Sequence, residues 1–179
     1  MSDVRWRPAA RQDRQRLQQF TCCPGTDQPH RSDCSQPWAH EVQGYLRQNA
    51  LGYCLRNPPA RDQRLLLIED GPELVGAVVH ALTVSDDPHG VRDRAIVAYA
   101  VALPHQGKQL SDGRRASHAV LDAAVEDAVS RHAQGVRIVL NALVDPRNAS
   151  SCACLRSYGL LPRGRDQSGD YVLHSRRLT

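Results

Sequence analysis

The chain has one phenylalanine, one methionine and a single lysine among its 179 residues, and aromatic side chains make up 4% of it. A core built from it has to rest on aliphatic side chains and alanine, within a hydrophobic content of 41% that fits a globular protein. No apolar run approaches the ~20 residues a membrane-spanning helix needs. The first residues, MSDVRWRPAARQDRQRL, lack the apolar centre of a secretory leader, so a cytoplasmic location with no membrane partner is expected. The length reads as one domain spanning residues 1–179, large enough for a real core.

The formal net charge of +4 is modest. Arginines gather near Arg5–Arg16, Arg114-Arg115, Arg163–Arg165 and Arg176-Arg177, a scatter that reads as solvated surface before it reads as a nucleic-acid face. Arginine in place of lysine, with much alanine and valine, suggests a GC-rich, bacterial source. Of six cysteines, Cys22, Cys23 and Cys34 share a loop with His30, Cys152 and Cys154 lie near the other end, and Cys54 is alone. Structural zinc sites use paired Cys-x₂₋₄-Cys spacings. The adjacent Cys22-Cys23 and the tight Cys152-x-Cys154 fit small buried thiols in a reduced chain better, and no metal is expected.

Along the chain, Val4–Arg7 reads as a strand, Arg11–Phe20 as a helix with Leu17 and Phe20 inward, and Thr21–Pro37 as a polar loop. Trp38–Leu51 has helical spacing at Trp38, Val42, Tyr45, Leu46 and Ala50. Asn57-Pro58-Pro59 breaks the chain. Arg64–Glu69 and Leu74–Val84 form a hairpin around Asp70-Gly71-Pro72-Glu73, with a third strand at Arg92–Leu103 after the turn Asp86–Gly90. A long helix over Leu110–His132, a strand over Val136–Leu143, a helix over Asn148–Tyr158 and a closing hairpin complete the order β-α-α-β-β-β-α-β-α-β-β. By itself that order gives a mixed α/β (α+β) single domain.

The most informative stretch is IVAYAVALPHQGKQLSDGRRASHAV, Ile96–Val120. A strand stops at Pro104, turns through His105–Gln109 and feeds a helix-like pattern, an arrangement that aims turn N–H groups and a helix's positive end at an anion. Lys108, the lone lysine, lies in that turn.

The run Val101–Ser111 resembles the acetyl-CoA loop of GNAT-type N-acetyltransferases, a strand ending in valine followed by Gln/Arg-x-x-Gly-x-Gly/Ala at a helix start. Gln106 holds the first position and Gly107 follows it, while Gln109 and Ser111 stand where the family has small residues, so the loop is a degraded one. The element order is also the one such domains show. Val144–Ser151 resembles a second signature, in which a strand splays out and an asparagine, here Asn148, opens the next helix. Leu155–Leu160 resembles the end of that helix.

The resemblance implies a single GNAT-like domain with a mixed, mostly antiparallel central sheet flanked by helices. It implies transfer of an acetyl group from acetyl-CoA, as co-substrate, to a primary amine of a small molecule or protein. Cofactor contacts would come from Val101, Ala102, Leu103, Gln106, Gly107, Lys108, Gln109, Leu110, Ser111, Asn148 and Ser151. Strand alternation sets Asp93, Ala95, Val97, Tyr99 and Val101 on one face. That makes Asp93 a candidate general base and Tyr99 a candidate acid. His80 reads as a core histidine, Glu69 as an exposed carboxylate, and Leu155 stands where relatives place a tyrosine. Two other readings stay open: acetylation of aminoacyl-tRNA, as in toxin-like relatives, and a non-catalytic module that binds CoA or a partner. Such domains commonly form homodimers, and nothing in the sequence specifies an interface. The acceptor side would be built from Phe20–Tyr45 and Leu161–His174.

Overall fold

The computed structural model describes residues 4–24, 37–56, 60–83 and 91–178. Most of the Thr21–Pro37 loop, with His30 and Cys34, the Asn57-Pro58-Pro59 break and the Asp86–Gly90 turn lie outside the described residues.

Seven strands form one sheet in the order β1-β2-β3-β4-β5-β7-β6. They are β1 (Val4–Pro8), β2 (Arg64–Asp70), β3 (Glu73–Leu82), β4 (Arg92–Val101), β5 (Ile138–Val144), β6 (Leu161–Arg165) and β7 (Val172–Arg177). Every neighbouring pair is antiparallel except β4 and β5. That parallel pair needs a crossover, which α4 (Ala116–Ser130) supplies. The sheet is therefore mixed and mostly antiparallel, with helices on both faces.

Alternation in β2 shows how the faces are filled. Leu66 and Ile68 pack with Val78, Val120, Leu121, Ala124, Leu140 and Leu155 beneath α4 and α5 (Ala149–Ser157). Leu65 and Leu67 pack with Leu17, Phe20, Leu46, Ala50 and Val79 beneath α1 (Arg14–Gln18), α2 (Pro37–Tyr45) and α3 (Leu51–Leu55). A π turn, Leu46–Ala50, joins α2 to α3 without a break. Small residues let α4 lie close to the sheet: a Cβ on Gly76 would meet Val120 Cγ2 at 2.5 Å and the Ala100 carbonyl oxygen at 2.7 Å.

Three expectations are corrected. The helix read from Leu110 begins at Ala116, because residues 108–116 fold back on themselves. Leu110 N–H donates to the Arg114 carbonyl, Ala116 N–H donates to that of Lys108, and Gly113 takes a φ of 84° to make the turn. The strand phase in β4 is also different. His80 pairs with Ile96 but Val79 with Ala98, so Val97 is an extra bulged residue. Beyond it the faces invert: Ile96, Tyr99 and Val101 share the α4 side, and Asp93 does not share a face with Tyr99. Finally, Glu69 is buried. Arg5, Arg7 and Arg16 converge on its carboxylate, which holds it below the usual carboxylate range against the cost of burial. Three of the arginines near the chain start thus bring their guanidinium groups to one buried carboxylate, while Arg11 and Arg14 stay exposed.

A second buried charge cluster ties β3 and β4 to α4. His80 and Arg94 are fully buried. Arg94 Nε donates to His80 Nδ1 at 3.4 Å, and His80 Nε2 lies 3.0 Å from Asp127 Oδ2. Arg64 also reaches Asp127, while Arg94 and Arg131 both hold Asp62. With Nδ1 serving as acceptor, His80 is neutral and gives its Nε2 proton to the carboxylate. Burial lowers its pKa from 6.5, with Arg94 acting in the same direction. A histidine with a lowered folded-state pKa adds stability that is complete above the unfolded value and is lost as pH falls below it. The melting temperature should therefore drop as pH is lowered from about 7 to 5, by at most one proton's linkage, about 1.4 kcal/mol per pH unit. In His80→Gln, which keeps a donor and an acceptor, that slope should flatten. An identical slope in wild type and variant would refute the neutral assignment.

Candidate functional site

The parallel pairing of β4 with β5 runs only from Arg92↔Ile138 to Ile96↔Ala142. β5 continues beside β7 to Val144↔Val172, while β4 continues beside β3 to Val101↔Gly76. The two strands therefore part after Ile96 and Ala142. Ala102 N–H donates to the Val75 carbonyl at 2.7 Å. Antiparallel alternation from that pair turns the backbone groups of Tyr99 and Val101 away from β3 and into the gap.

Two connected recesses occupy the gap. The first, of about 300 Å³, is lined by Trp38, Tyr99, Val101, Gln106, Gly107, Ser117, Asn148, Ser150, Ser151 and Cys154, among others. The second, of about 350 Å³, continues past Trp38, Val42, Tyr99, Asn148 and Ser151 to Val97, Leu143, Tyr45 and Tyr171. Asn148 caps α5, its side-chain oxygen accepting from the Ser151 N–H at 3.1 Å. Tyr99 is half-buried between the recesses, and its hydroxyl donates to the Ser151 carbonyl at 3.3 Å. Burial raises the Tyr99 pKa above its ordinary 10.0, so the phenol keeps its proton at neutral pH.

The sequence placed an anion cradle at residues 106–111. There the N–H groups of Gln106, Lys108 and Leu110 donate to the carbonyls of Leu103, His105 and Arg114. The N–H and hydroxyl of Ser111 both donate to Asp70. The positive helix end lies instead at Arg115–Ser117. Among the described residues, the backbone N–H groups of Gly107, Gln109, Arg115 and Ser117 have no partner. The side chains of Lys108 and Arg115 are exposed there and make no ion pair among the described residues. Arg115 and Ser117 escaped the sequence reading. The signal was available in Gly113-Arg114-Arg115-Ala116-Ser117, a glycine turn just ahead of the helix, but the apolar Leu110 drew the expected start forward.

The other singled-out residues fall into three groups. Val101, Gln106, Gly107, Asn148, Ser151 and Tyr99 come together at the crevice. Ala102 is buried, and Leu103 N–H is spent on the Thr21 carbonyl. Gln106 Nε2 donates to the carbonyls of Val101, at 3.1 Å, and Cys22, at 2.5 Å, so it fixes the strand end. Asp93 stands at the far end of β4, six residues from Tyr99 and so about 20 Å away; its carboxylate faces Asn141. Leu155 is fully buried, and the Tyr158 hydroxyl donates to Asp122 away from the crevice. Among the described residues no group of three His, Cys, Asp or Glu is placed to hold a metal, and no helix is long and apolar enough to cross a membrane.

No family model matches the sequence, and no curated protein matches it. Solved structures do match. The GNAT domain of S. lividans PAT is 19% identical with a TM-score of 0.63, covering 97% of this chain and 90% of that one. Aminoglycoside acetyltransferase AAC(6')-Ib, solved with coenzyme A, is 15% identical at 0.61 over 97% and 94%. Mycobacterium smegmatis RimJ, solved with CoA-disulfide, is 17% identical at 0.59 over 97% and 81%. At these identities the likeness is one of fold: the chain has the fold of the GNAT acetyltransferases.

Burial in the first recess pushes the Cys22 thiol up to about 12, so almost none of it is thiolate at neutral pH. Alkylation of Cys22 by iodoacetamide, followed by peptide mass mapping at pH 8, should be far slower than that of a free model thiol. Rapid labelling would show that the thiol is not held in this buried site.

Proposed function

We propose that this protein is an acyl-CoA-dependent N-acetyltransferase that uses acetyl-CoA and a primary amine. The observation that carries this reading is the parting of β4 and β5, whose open backbone groups face a crevice ending at the start of α4. The fit rests on this chain's own groups. The N–H groups of Gly107, Gln109, Arg115 and Ser117, with Lys108 and Arg115, offer positive charge and donors to a pyrophosphate. The Tyr99 and Val101 backbone offers strand-like hydrogen bonds to the amides of a pantetheine arm, beside Asn148, Ser150 and Ser151. Neighbours of the same fold solved with CoA or CoA-disulfide add support.

Acetyl-CoA, when bound, supplies a thioester carbonyl that a neutral amine can attack. Nitrogen gains the carbon and loses one proton; sulfur loses the carbon and gains one proton. N–H groups at the open end of β4 are placed to donate hydrogen bonds to the carbonyl oxygen. The Tyr99 phenol, protonated at neutral pH, is the one phenol that lines both recesses among the described residues, and we assign it proton delivery to the departing sulfur. Asp93 is too distant to serve as base, and among the described residues no carboxylate or imidazole lines the first recess. Proton loss from the amine is therefore assigned to water held in the crevice.

The buried Leu155 and the engaged Tyr158 favour one second reading, in which the same crevice binds CoA without turning it over. Binding and turnover have to be measured separately for that reason. Thermal-shift and calorimetric titration with acetyl-CoA, CoA and ATP should show binding of both CoA forms. Arg115→Glu, at an exposed position without an ion pair among the described residues, should weaken that binding about tenfold with little change in basal melting temperature. Unchanged affinity would remove Arg115 from the site, and no binding of either CoA form would refute the function. Tyr99→Phe should lower kcat about 10²-fold or more with CoA affinity retained. CoA binding with no turnover of any amine in the wild type would select the second reading.

A further inference from the structure

Resting on that reading, we infer that the acceptor is a small primary amine carrying a single apolar, aryl or branched-alkyl body. The two recesses differ in chemistry. The one next to α4 is lined with serines, Asn148 and Gln106. The one beyond Tyr99 is walled by Ile96, Val97, Ala98, Ala142, Leu143 and Val144, with the rings of Trp38, Tyr45 and Tyr171 around them. Val97 and Leu143 are half exposed, 50% and 55%, and they face the gap where the strands have parted. The bulge puts Val97 there, and its exposure follows from the absent β5 partner.

Charge points the same way. The charged residues lining the second recess are Glu41 and Asp145, and no lysine, arginine or histidine lines it among the described residues. Asp145 is bound by Arg147, whose guanidinium also lies 5.9 Å from the centroid of the Trp38 ring. That pair sits at the rim and leaves the apolar walls uncharged. The aromatic faces of Trp38, Tyr45 and Tyr171 tolerate an ammonium ion on the way in. Along the aliphatic walls of Ile96, Val97, Ala98, Ala142, Leu143 and Val144 no side chain can pair a second cation or a set of hydroxyls, and burying those unpaired is costly. A volume of about 350 Å³ is at the small-ligand end of the range for such pockets. The amine nitrogen would sit at the junction by Tyr99, Asn148 and Ser151, which line both recesses.

The test is a panel of acceptors at fixed acetyl-CoA, read by release of free thiol: phenethylamine and isoamylamine, spermidine, an aminosugar, and a short peptide with a free N-terminus. The two apolar monoamines should show kcat/KM at least about tenfold above the others. Leu143→Arg, at an exposed position, should raise KM for phenethylamine about tenfold or more while leaving acetyl-CoA affinity unchanged. Val97→Ser should raise it by less, and guards against a folding defect in the arginine variant. Preference for spermidine, the aminosugar or the peptide would overturn the inference and leave the acetyltransferase reading standing. Turnover of phenethylamine unaffected by both variants would also overturn it. Absence of acetyl-CoA binding in calorimetry marks failure of the underlying reading instead.

Discussion

The crevice exists because β5 cannot stay beside both of its neighbours. It keeps six residues in register with β7 but only five with β4, and β4 runs on beside β3. Strands that hydrogen bond lie about 4.8 Å apart, and a twisted sheet can hold that spacing on one side while losing it on the other. Once the spacing is lost, the backbone groups of Tyr99 and the Val101 N–H have no strand partner across the gap among the described residues, while the Val101 carbonyl accepts only from the Gln106 side chain. Unpaired main-chain groups at the floor of a crevice are a standing site for a ligand that brings its own amides.

The bulge at Val97 sits where the parting begins, between the last residue paired with β5 and the open strand end. One extra residue there turns Tyr99 toward α5 and the Ser151 carbonyl, and leaves Val97 itself over the gap. The same residue therefore helps to position a protonated phenol and to make one wall of the apolar recess apolar. A β4 without the bulge would aim Ala98 and Ala100 at α5, and the crevice would have no phenol between its halves.

Two buried charge clusters hold the frame around this opening. Glu69, gripped by three arginines, ties β1, β2 and the start of α1 together. The His80, Asp127, Arg94 and Asp62 cluster pins α4 against β3 and β4 at the end opposite the crevice. With one phenylalanine in the whole chain, aliphatic packing is supplemented by these directional contacts. Buried ion pairs give up hydration and return it only when every partner is in place, which makes the frame selective about how α4 sits. The start of α4, where free N–H groups gather, is set at the other end of that same rigid helix.

The order of elements, the Asp70–Glu73 hairpin and the Asn148 cap were legible in the sequence, because each depends on residues within a few positions of one another. The start of α4 was not: Leu110 continues the apolar spacing of the helix, and only its contact with the core, with Ser111 held by Asp70 from another strand, keeps 110–115 out of it. The face of Tyr99 was not legible either, since one bulged residue inverts a period of two without altering composition. Glu69 looked exposed beside its turn because its three arginines come from distant positions. Local chemistry thus determined which segments became strands and helices. Tertiary structure decided where two strands part and which side chains meet there, because those depend on contacts that no neighbouring residue specifies.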